Sequence, residues 1–295
     1  MTDAAIAVAT SIAPKNIDLQ RAAIETWLAR GLRVLSVNCA AEVPVLAPYF
    51  PSVEFVDVGE LDTRHTRRRL VYFDQLLAAL KASGAPVCGI VNSDIHLRGG
   101  NDLGAQLARL AGEGFVFGAR TDVESFTDTS GTSYPDGFDF FFFERAVIDA
   151  YPASPFRLGA PWWDLWAPLV PLARGLKVAT LAEPVFAHVR HDSAWSEEQE
   201  WQTYGALFMA ALRDLAGGEW AAKVQSSNSG DVWRAFYPIL ADTLFTHHQL
   251  LERSLDGQDS TTQALIRATN HQTALVVGQA MRTLIARLVP HCRLA

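Results

Sequence analysis

The sequence predicts an α/β fold: a mixed, mainly parallel sheet flanked by helices, with an all-helical extension at the C-terminus. Short apolar runs alternate with helix-period stripes through the first half of the chain. The run from Val87 to Ile95 is almost continuously apolar, as in strands covered on both faces. Beyond about residue 195, helical stripes continue without a convincing strand.

The elements follow in order. Ile6 to Ile12 reads as a strand that ends in a Ser-Ile-Ala-Pro loop. Asp18 to Arg30 places Leu19, Ala22, Ala23, Trp27 and Leu28 on one helical face, with Gly31 just past its end. Arg33 to Asn38 and Val53 to Val58 read as strands. Leu70 to Ala82 reads as a helix that stops near Ser83-Gly84, and Val87 to Ile95 as a strand ending in polar residues. Leu103 to Leu110 is helical and Phe115 to Gly118 strand-like. A turn-rich segment, Gly131 to Gly137, then precedes the strand Phe138 to Glu144 and a short helix from Arg145 to Tyr151. The segment Gly159 to Asp164 opens another helix, and Val178 to Arg190 returns to strand character. In the last part, Trp201, Tyr204, Phe208, Leu212 and Leu215 form one stripe, and Val277, Met281, Leu284 and Leu288 another. Ser226 to Gly230 and Asp256 to Ser260 read as loops between helices. This divides the chain at 1–194 and 195–295.

Composition narrows the function. Of 295 residues, 49% are hydrophobic and 19% charged, which suits a packed core rather than disorder. The net charge of -7 argues against nucleic acid as a partner, because such binding rests on neutralising many phosphates. Cys39, Cys88 and Cys292 form no CxxC or CxxH pair and fit free thiols in a reducing compartment. The first residues lack the basic leader of a signal peptide, and no window approaches the ~18 apolar residues of a membrane span. The expectation is a cytoplasmic protein.

In parallel α/β sheets, ligands sit beyond the carboxyl ends of strands. Three such ends carry polar residues: Thr10-Ser11, Asn92-Ser93-Asp94 and Arg120-Thr121-Asp122. A carboxylate such as Asp94 at a strand end can hold a divalent cation, Mn2+ or Mg2+, against a diphosphate. Asp164 follows Pro161-Trp162-Trp163 at a helix start, where the dipole favours an acid. A carboxylate held there can serve as a general base, and the indoles can offer an apolar face to a sugar. His188 and His191 lie three apart at a late strand end, so they reach one ligand only where the chain turns after Val189. With Asp192 they are candidate metal ligands. Arg64, Arg67, Arg68 and Arg69 gather before a helix, where the dipole disfavours cations, and guanidiniums suit phosphates. Asp139 alternates with phenylalanines on a buried strand and needs a partner, Arg120 or a substrate hydroxyl.

Taken in order, Ser11-Ile-Ala-Pro, Val91-Asn-Ser-Asp-Ile95, Gly118-Ala-Arg-Thr-Asp122, Gly137-Phe-Asp-Phe-Phe-Phe-Phe143, Pro161-Trp-Trp-Asp164 and Ala187-His-Val-Arg-His191 resemble the nucleotide-diphospho-sugar transferases of the GT-A fold. The resemblance covers roughly residues 5–192 and leaves the tail outside. It implies a Rossmann-type sheet with a nucleotide-sugar donor over the first strands and an acceptor it does not identify. Asn92-Ser93-Asp94 stands where the family's D-x-D motif stands, with an amide replacing the first acid. His188 or His191 would compensate for the lost charge. Asp164 matches the acceptor-side carboxylate, and Arg120 and Asp122 match a segment lining the donor pocket.

The expected function is sugar transfer from a nucleotide-diphosphate donor. Asp94, Asn92 and a histidine would hold the metal, Asp164 would act on the acceptor, and Thr10, Ser11, Ser93, Arg64, Arg68 and Asp139 would bind the donor. Two alternatives are weighed. Sugar nucleotidyl transfer usually places a glycine-rich loop after the first strand, and Thr10 to Lys15 holds no glycine. A non-catalytic binding or assembly module is kept open by Asn92. The tail helices would pack on the first domain or on a second copy of the chain, or would contact an acceptor or its carrier.

Overall fold

The computed structural model describes residues 5–128, 130–134, 137–181, 183–190 and 197–216, and, towards the C-terminus, 257–266, 268–269, 278–279, 282, 285 and 289–294. The strands are β1 (Ile6–Thr10), β2 (Arg33–Asn38), β3 (Glu54–Asp57), β4 (Val87–Val91), β5 (Ile95–Leu97), β6 (Phe115–Gly118), β7 (Thr121–Val123), β8 (Thr132–Ser133), β9 (Phe140–Glu144), β10 (Val178–Leu181), β11 (Phe186–Val189) and β12 (His291–Cys292). The helices are α1 (Ile17–Leu28), α2 (Val43–Leu46), α3 (Phe73–Ser83), α4 (Leu103–Ala111), α5 (Trp163–Ala173) and α6 (Glu197–Ala216).

An eight-stranded sheet runs β12-β10-β6-β9-β4-β1-β2-β3. Its strands are parallel except β9, which lies antiparallel between β4 and β6. The expected α/β class with a mixed, mainly parallel sheet is therefore the observed one. A smaller sheet, β5-β11-β7-β8, is built from segments that leave the carboxyl ends of β4, β6 and β10.

Strand alternation decides which face each residue covers. Phe141 and Phe143 of β9 enter one core with Phe73, Trp163, Trp166 and Phe208, the layer of α3, α5 and α6. Phe140 and Phe142 enter the other with Trp27, Leu103 and Leu107, the layer of α1 and α4. The phenylalanine run thus fills both layers at the sheet's centre, and the rings of Phe140, Phe141, Phe142 and Phe143 are buried.

Several expected elements break where polar groups find better partners. The run Val87 to Ile95 divides into β4 and β5, which belong to different sheets, around a turn at Asn92-Ser93-Asp94. Asn92 N donates to Asp139 O (3.2 Å) and Ile95 N to Asn92 O (3.1 Å), so the ladder ends there. Val178 to Arg190 likewise divides into β10 and β11. The helix expected from Leu70 begins at Phe73, because Tyr72 pairs with Arg157 in an antiparallel bridge and Gln75 caps the helix. The segment after β9 is a 3-10 helix, Arg145–Ala150.

In the C-terminal region, Tyr204, Phe208, Leu212 and Leu215 of α6 are buried in the α5 layer, as their stripe predicts. The region is not helical throughout: β12 adds to the sheet beside β10, with Thr180 N donating to Pro290 O (2.9 Å). Two residues form this strand, too few for a pattern to show in sequence. Val277, Met281, Leu284, Leu288 and the loop Ser226 to Gly230 lie outside the described residues.

Gly89 of β4 tests the packing. A Cβ there would meet the Phe142 ring at 2.8 Å and Val8 at 3.1 Å. Gly89→Ala is expected to lower unfolding free energy by about 1–3 kcal/mol through overpacking, read as a lower urea midpoint at unchanged slope.

Candidate functional site

Because β9 runs against its neighbours, its first residue pairs with the last residues of β4 and β6: Phe140 lies opposite Val91 and Gly118. Asp139 therefore sits among the carboxyl ends of both strands. It is 5% exposed. Its Oδ1 accepts from Asn92 Nδ2 (2.9 Å) and Arg120 Nη1 (3.0 Å). Its Oδ2 is buried without a hydrogen-bond partner among the described residues. Burial raises the Asp139 pKa, Arg120 works against that rise, and the nearby charge of Asp94 adds to it. The expected pairing of Asp139 with Arg120 is thus present.

Arg120 is a hub. Its Nε donates to Asp122 Oδ1 (2.8 Å), and its guanidinium lies 4.0 Å from the centre of the Tyr134 ring. Asp122 on β7 and His188 on β11 are register partners in the small sheet. His188 Nδ1 lies 3.1 Å from Asp122 Oδ1, and His188 Nε2 lies 3.6 Å from Asp94 Oδ2. When Nδ1–H is donated to Asp122, Nε2 keeps its lone pair on the Asp94 side. The structure thus joins Asn92, Asp94, Arg120, Asp122, Asp139 and His188 in one cluster. His191 lies outside the described residues.

Ser93 faces the other way. Its Oγ donates to Gln20 Oε1 (2.7 Å), and the same oxygen accepts from Ala13 N (2.8 Å). Gln20 thus ties the loop after β1 to the turn after β4. Thr10 Oγ1 at the end of β1 is buried and unpartnered among the described residues, and Ser11 is partly buried beside it.

Asp164 occupies the first turn of α5 and accepts from Phe138 N (3.2 Å). Desolvation, with the charge of Asp139 adding to it, pushes its carboxyl up to about 6, and Arg282 works against this. The preceding Trp162 adopts φ 75°, a left-handed backbone that bulky residues rarely take. Packing compels it: Trp162 Nε1 donates to Trp201 O (3.1 Å), and its ring centre lies 4.9 Å from those of Trp201 and Phe208 on α6. Trp162 and Trp163 are 1% and 3% exposed, so the expectation that they face a sugar is corrected: both are core.

The arginine run lies in the loop between β3 and α3. Arg68 Nη2 donates to Glu200 Oε2 (2.8 Å) and to Gly159 O (3.0 Å), so Arg68 braces the loop against α6. Arg64, Arg67 and Arg69 are exposed. No hydrogen bond or ion pair found among the described residues joins the run to the Asp139 cluster.

Three contributors escape a reading of the sequence. His96 follows Asp94 by two positions, the spacing of one strand face, which is the signal that would have found it. It is buried, its Nε2 has no partner among the described residues, and Phe126 lies 3.9 Å from its ring centre. Burial holds its imidazole down at about 4. Gln20 and Tyr134 carry no local signal, since one lies within a helix and the other in a turn-rich segment.

Among the described residues, no three His, Cys, Asp or Glu side chains gather as metal ligands. The donors present nevertheless suit a hard divalent cation held by one or two protein groups and by substrate phosphates. Asp94 supplies a carboxylate, His188 an imidazole, and Asp122 fixes the imidazole from behind.

No family model matches the chain, and no curated protein matches it in sequence. Among solved structures, a mannosyltransferase from Pyrobaculum calidifontis, in complex with GDP-Man and Mn2+, is similar over 96% of this chain and 87% of its own, at 13% identity and a TM-score of 0.48. A mannose-1-phosphate geranyltransferase from Thermus thermophilus covers 48% of this chain and 58% of its own, at 13% identity and a TM-score of 0.30. A putative glucose-1-phosphate thymidylyltransferase from Bacillus anthracis covers 49% and 72%, at 7% identity and a TM-score of 0.30. Likeness at this level carries no weight for what the present chain does, and its fold class rests on its own strand order.

Asp164 gives a pH test. Its folded pKa of about 6 lies above its ordinary value of 3.8, so the folded chain holds a proton that the unfolded chain has released. Its contribution to stability is therefore full below the ordinary value and is lost as pH rises through about 6. Asp164→Asn lacks that loss. Relative to the parent, its unfolding free energy should climb as pH rises from about 4 to about 6 and level off above, measured by urea titration at each pH.

Proposed function

We propose that this chain is a nucleotide-sugar-dependent glycosyltransferase whose donor site is the Asp139 cluster and whose acceptor-side base is Asp164. One observation carries the reading. Acids from strand ends separate in sequence, Asp94, Asp122 and Asp139, converge with Arg120 and His188, and Asp164 is held next to them near neutrality.

The charge balance supports a cation. The carboxylates of Asp94, Asp122, Asp139 and Asp164 outnumber the guanidiniums, Arg120 and Arg282, whose charges reach them. Such a surplus repels a diphosphate unless a divalent ion stands between. Asp94 and His188 would hold Mn2+ or Mg2+, with Asn92 fixed beside them by Asp139. The ion would supply charge stabilisation for the departing nucleoside diphosphate. Arg120, locked by Asp122 and Asp139, orients the acids rather than meeting phosphate itself. Thr10 and Ser11, at the end of β1 beside the loop that Gln20 ties to the Asn92 turn, would contact the nucleotide.

Asp164 would take the acceptor's proton. A base with a pKa close to the working pH balances availability against basicity. Turnover should therefore rise with pH as the carboxyl ionises through about 6. The chain is read as two regions, 1–194 for the donor and 195–295, whose helix α6 seats Trp162 and through it Asp164. Among the described residues no helix is long and apolar enough to cross a membrane.

The test uses release of nucleoside diphosphate from a panel of nucleotide sugars. Asp94→Ala should cut release roughly 10²-fold or more while the protein stays folded. Full activity in that variant contradicts the cation assignment. Asp164→Asn should cut release about 10²- to 10⁴-fold and leave donor binding near parental. Equal loss of binding and turnover would make Asp164 a binding residue. A parent that binds nucleotide without turning any donor over would favour the non-catalytic module.

A further inference from the structure

We propose that the exposed arginines 64, 67 and 69 dock a phosphate group carried by the acceptor. This rests on the transferase reading and deepens it by naming the acceptor's class.

The first ground is charge without partners. In a chain of net charge -7, Arg21 is paired with Asp18, Arg33 with Glu54, Arg68 with Glu200, Arg157 with Asp62 and Arg190 with Glu124, while the exposed Arg109, Arg174 and Arg293 make no ion pair among the described residues but each stands alone in its stretch of chain, whereas three such arginines share the six residues 64–69. Arg64, Arg67 and Arg69 are exposed and make no ion pair among the described residues. The nearby acids do not serve them. Asp57 accepts from Gly59 N, and Asp62 is turned to Tyr72, Arg157 and the Arg64 backbone, which together hold its carboxyl down at about 2. Glu60 is exposed as well and makes no ion pair with the run among the described residues.

The second ground is rigidity. Arg157 is fully buried and donates to Asp62 O (2.7 Å), Leu70 O (3.2 Å) and Tyr72 Oη (2.6 Å), closing the loop at both ends. Glu200 of α6 accepts from Thr66 Oγ1 (2.7 Å) and Arg68 at its middle. A loop fastened at its ends and centre, yet presenting its remaining cations outward, is built for a ligand more than for solvent. Guanidiniums displayed together match the oxygens of a phosphate.

The third ground is place. The loop leaves the carboxyl end of β3, the end of the sheet where the Asp139 cluster lies. It runs beside residues 156–159: Phe73 N donates to Phe156 O, Leu158 N to Val71 O, and Arg68 to Gly159 O. That segment continues directly into Trp162 and Asp164. Through Gly159 the loop is thus fastened to the segment that leads into the helix carrying Asp164.

The test measures binding of two probes: a soluble phosphate monoester, glucose 6-phosphate, and phosphatidylcholine vesicles doped with phosphatidic acid. The parent should bind at least one, and more weakly as salt rises. Arg64→Gln/Arg67→Gln/Arg69→Gln should weaken that binding at least about tenfold with an unchanged thermal midpoint. Binding of the soluble probe assigns a free phosphate ester, and binding of vesicles alone assigns a lipid phosphate. Single substitutions, each expected to weaken binding in part, replace the triple variant should it fail to fold. No binding of either probe, or binding the variants retain, overturns the proposal. So does loss of nucleoside diphosphate binding in the triple variant, which would move the loop to the donor side. A parent that binds a phosphate probe but no nucleoside diphosphate strikes the transferase reading instead, while the loop's phosphate site stands.

Discussion

The buried carboxylate of Asp139 is the point from which the site hangs. Its backbone accepts from Asn92 and donates to Gly118 O (3.3 Å), and its side chain accepts from Asn92 and Arg120. One residue at the head of an antiparallel strand thereby locks the exits of two parallel neighbours. Breaking a buried pair of this kind is costly, because the partner keeps its charge in a poorly solvated place. Arg120 then passes the constraint to Asp122, and Asp122 to His188, so the small sheet is oriented by the same chain of contacts.

A second constraint reaches the site from the C-terminal region. Helix α6 fixes Trp162 in an unfavourable backbone region, and the same helix grips the arginine loop through Glu200. Local strain of this sort persists only where surrounding packing over-determines it. Asp164 lies two residues beyond Trp162, so α6 helps to set where that carboxylate points. Helix α6 thus shapes the candidate site through Trp162 and the arginine loop.

The sequence carried most of the fold because strands buried on both faces and amphipathic helices write their periods into it. The phenylalanine strand, the first part of the Val87 strand and the helix of Leu103 appear where the pattern put them. What it hid were breaks made by polar partners far away in the chain. Nothing near Asn92 tells that Asp139 ends its strand, and nothing near Tyr72 tells that Arg157 delays the helix. The candidate site drew notice through its acids: Asp94 closes an apolar run, Asp139 alternates with phenylalanines and Asp164 follows two tryptophans. The tryptophans misled because an indole suits a sugar face and a core equally well, and burial decides between them. Arg68 was grouped with its neighbours by sequence, whereas Glu200, 132 residues away, singles it out.

The central claim is that the surplus of negative charge around Asp139 makes nucleotide binding depend on a cation. Calorimetric titration of the intact protein with nucleoside diphosphates, with and without Mn2+, tests it most directly. Binding of at least one nucleotide that requires Mn2+, and that Asp94→Asn abolishes, is the predicted result. Nucleotide binding of equal strength without any divalent ion would contradict it.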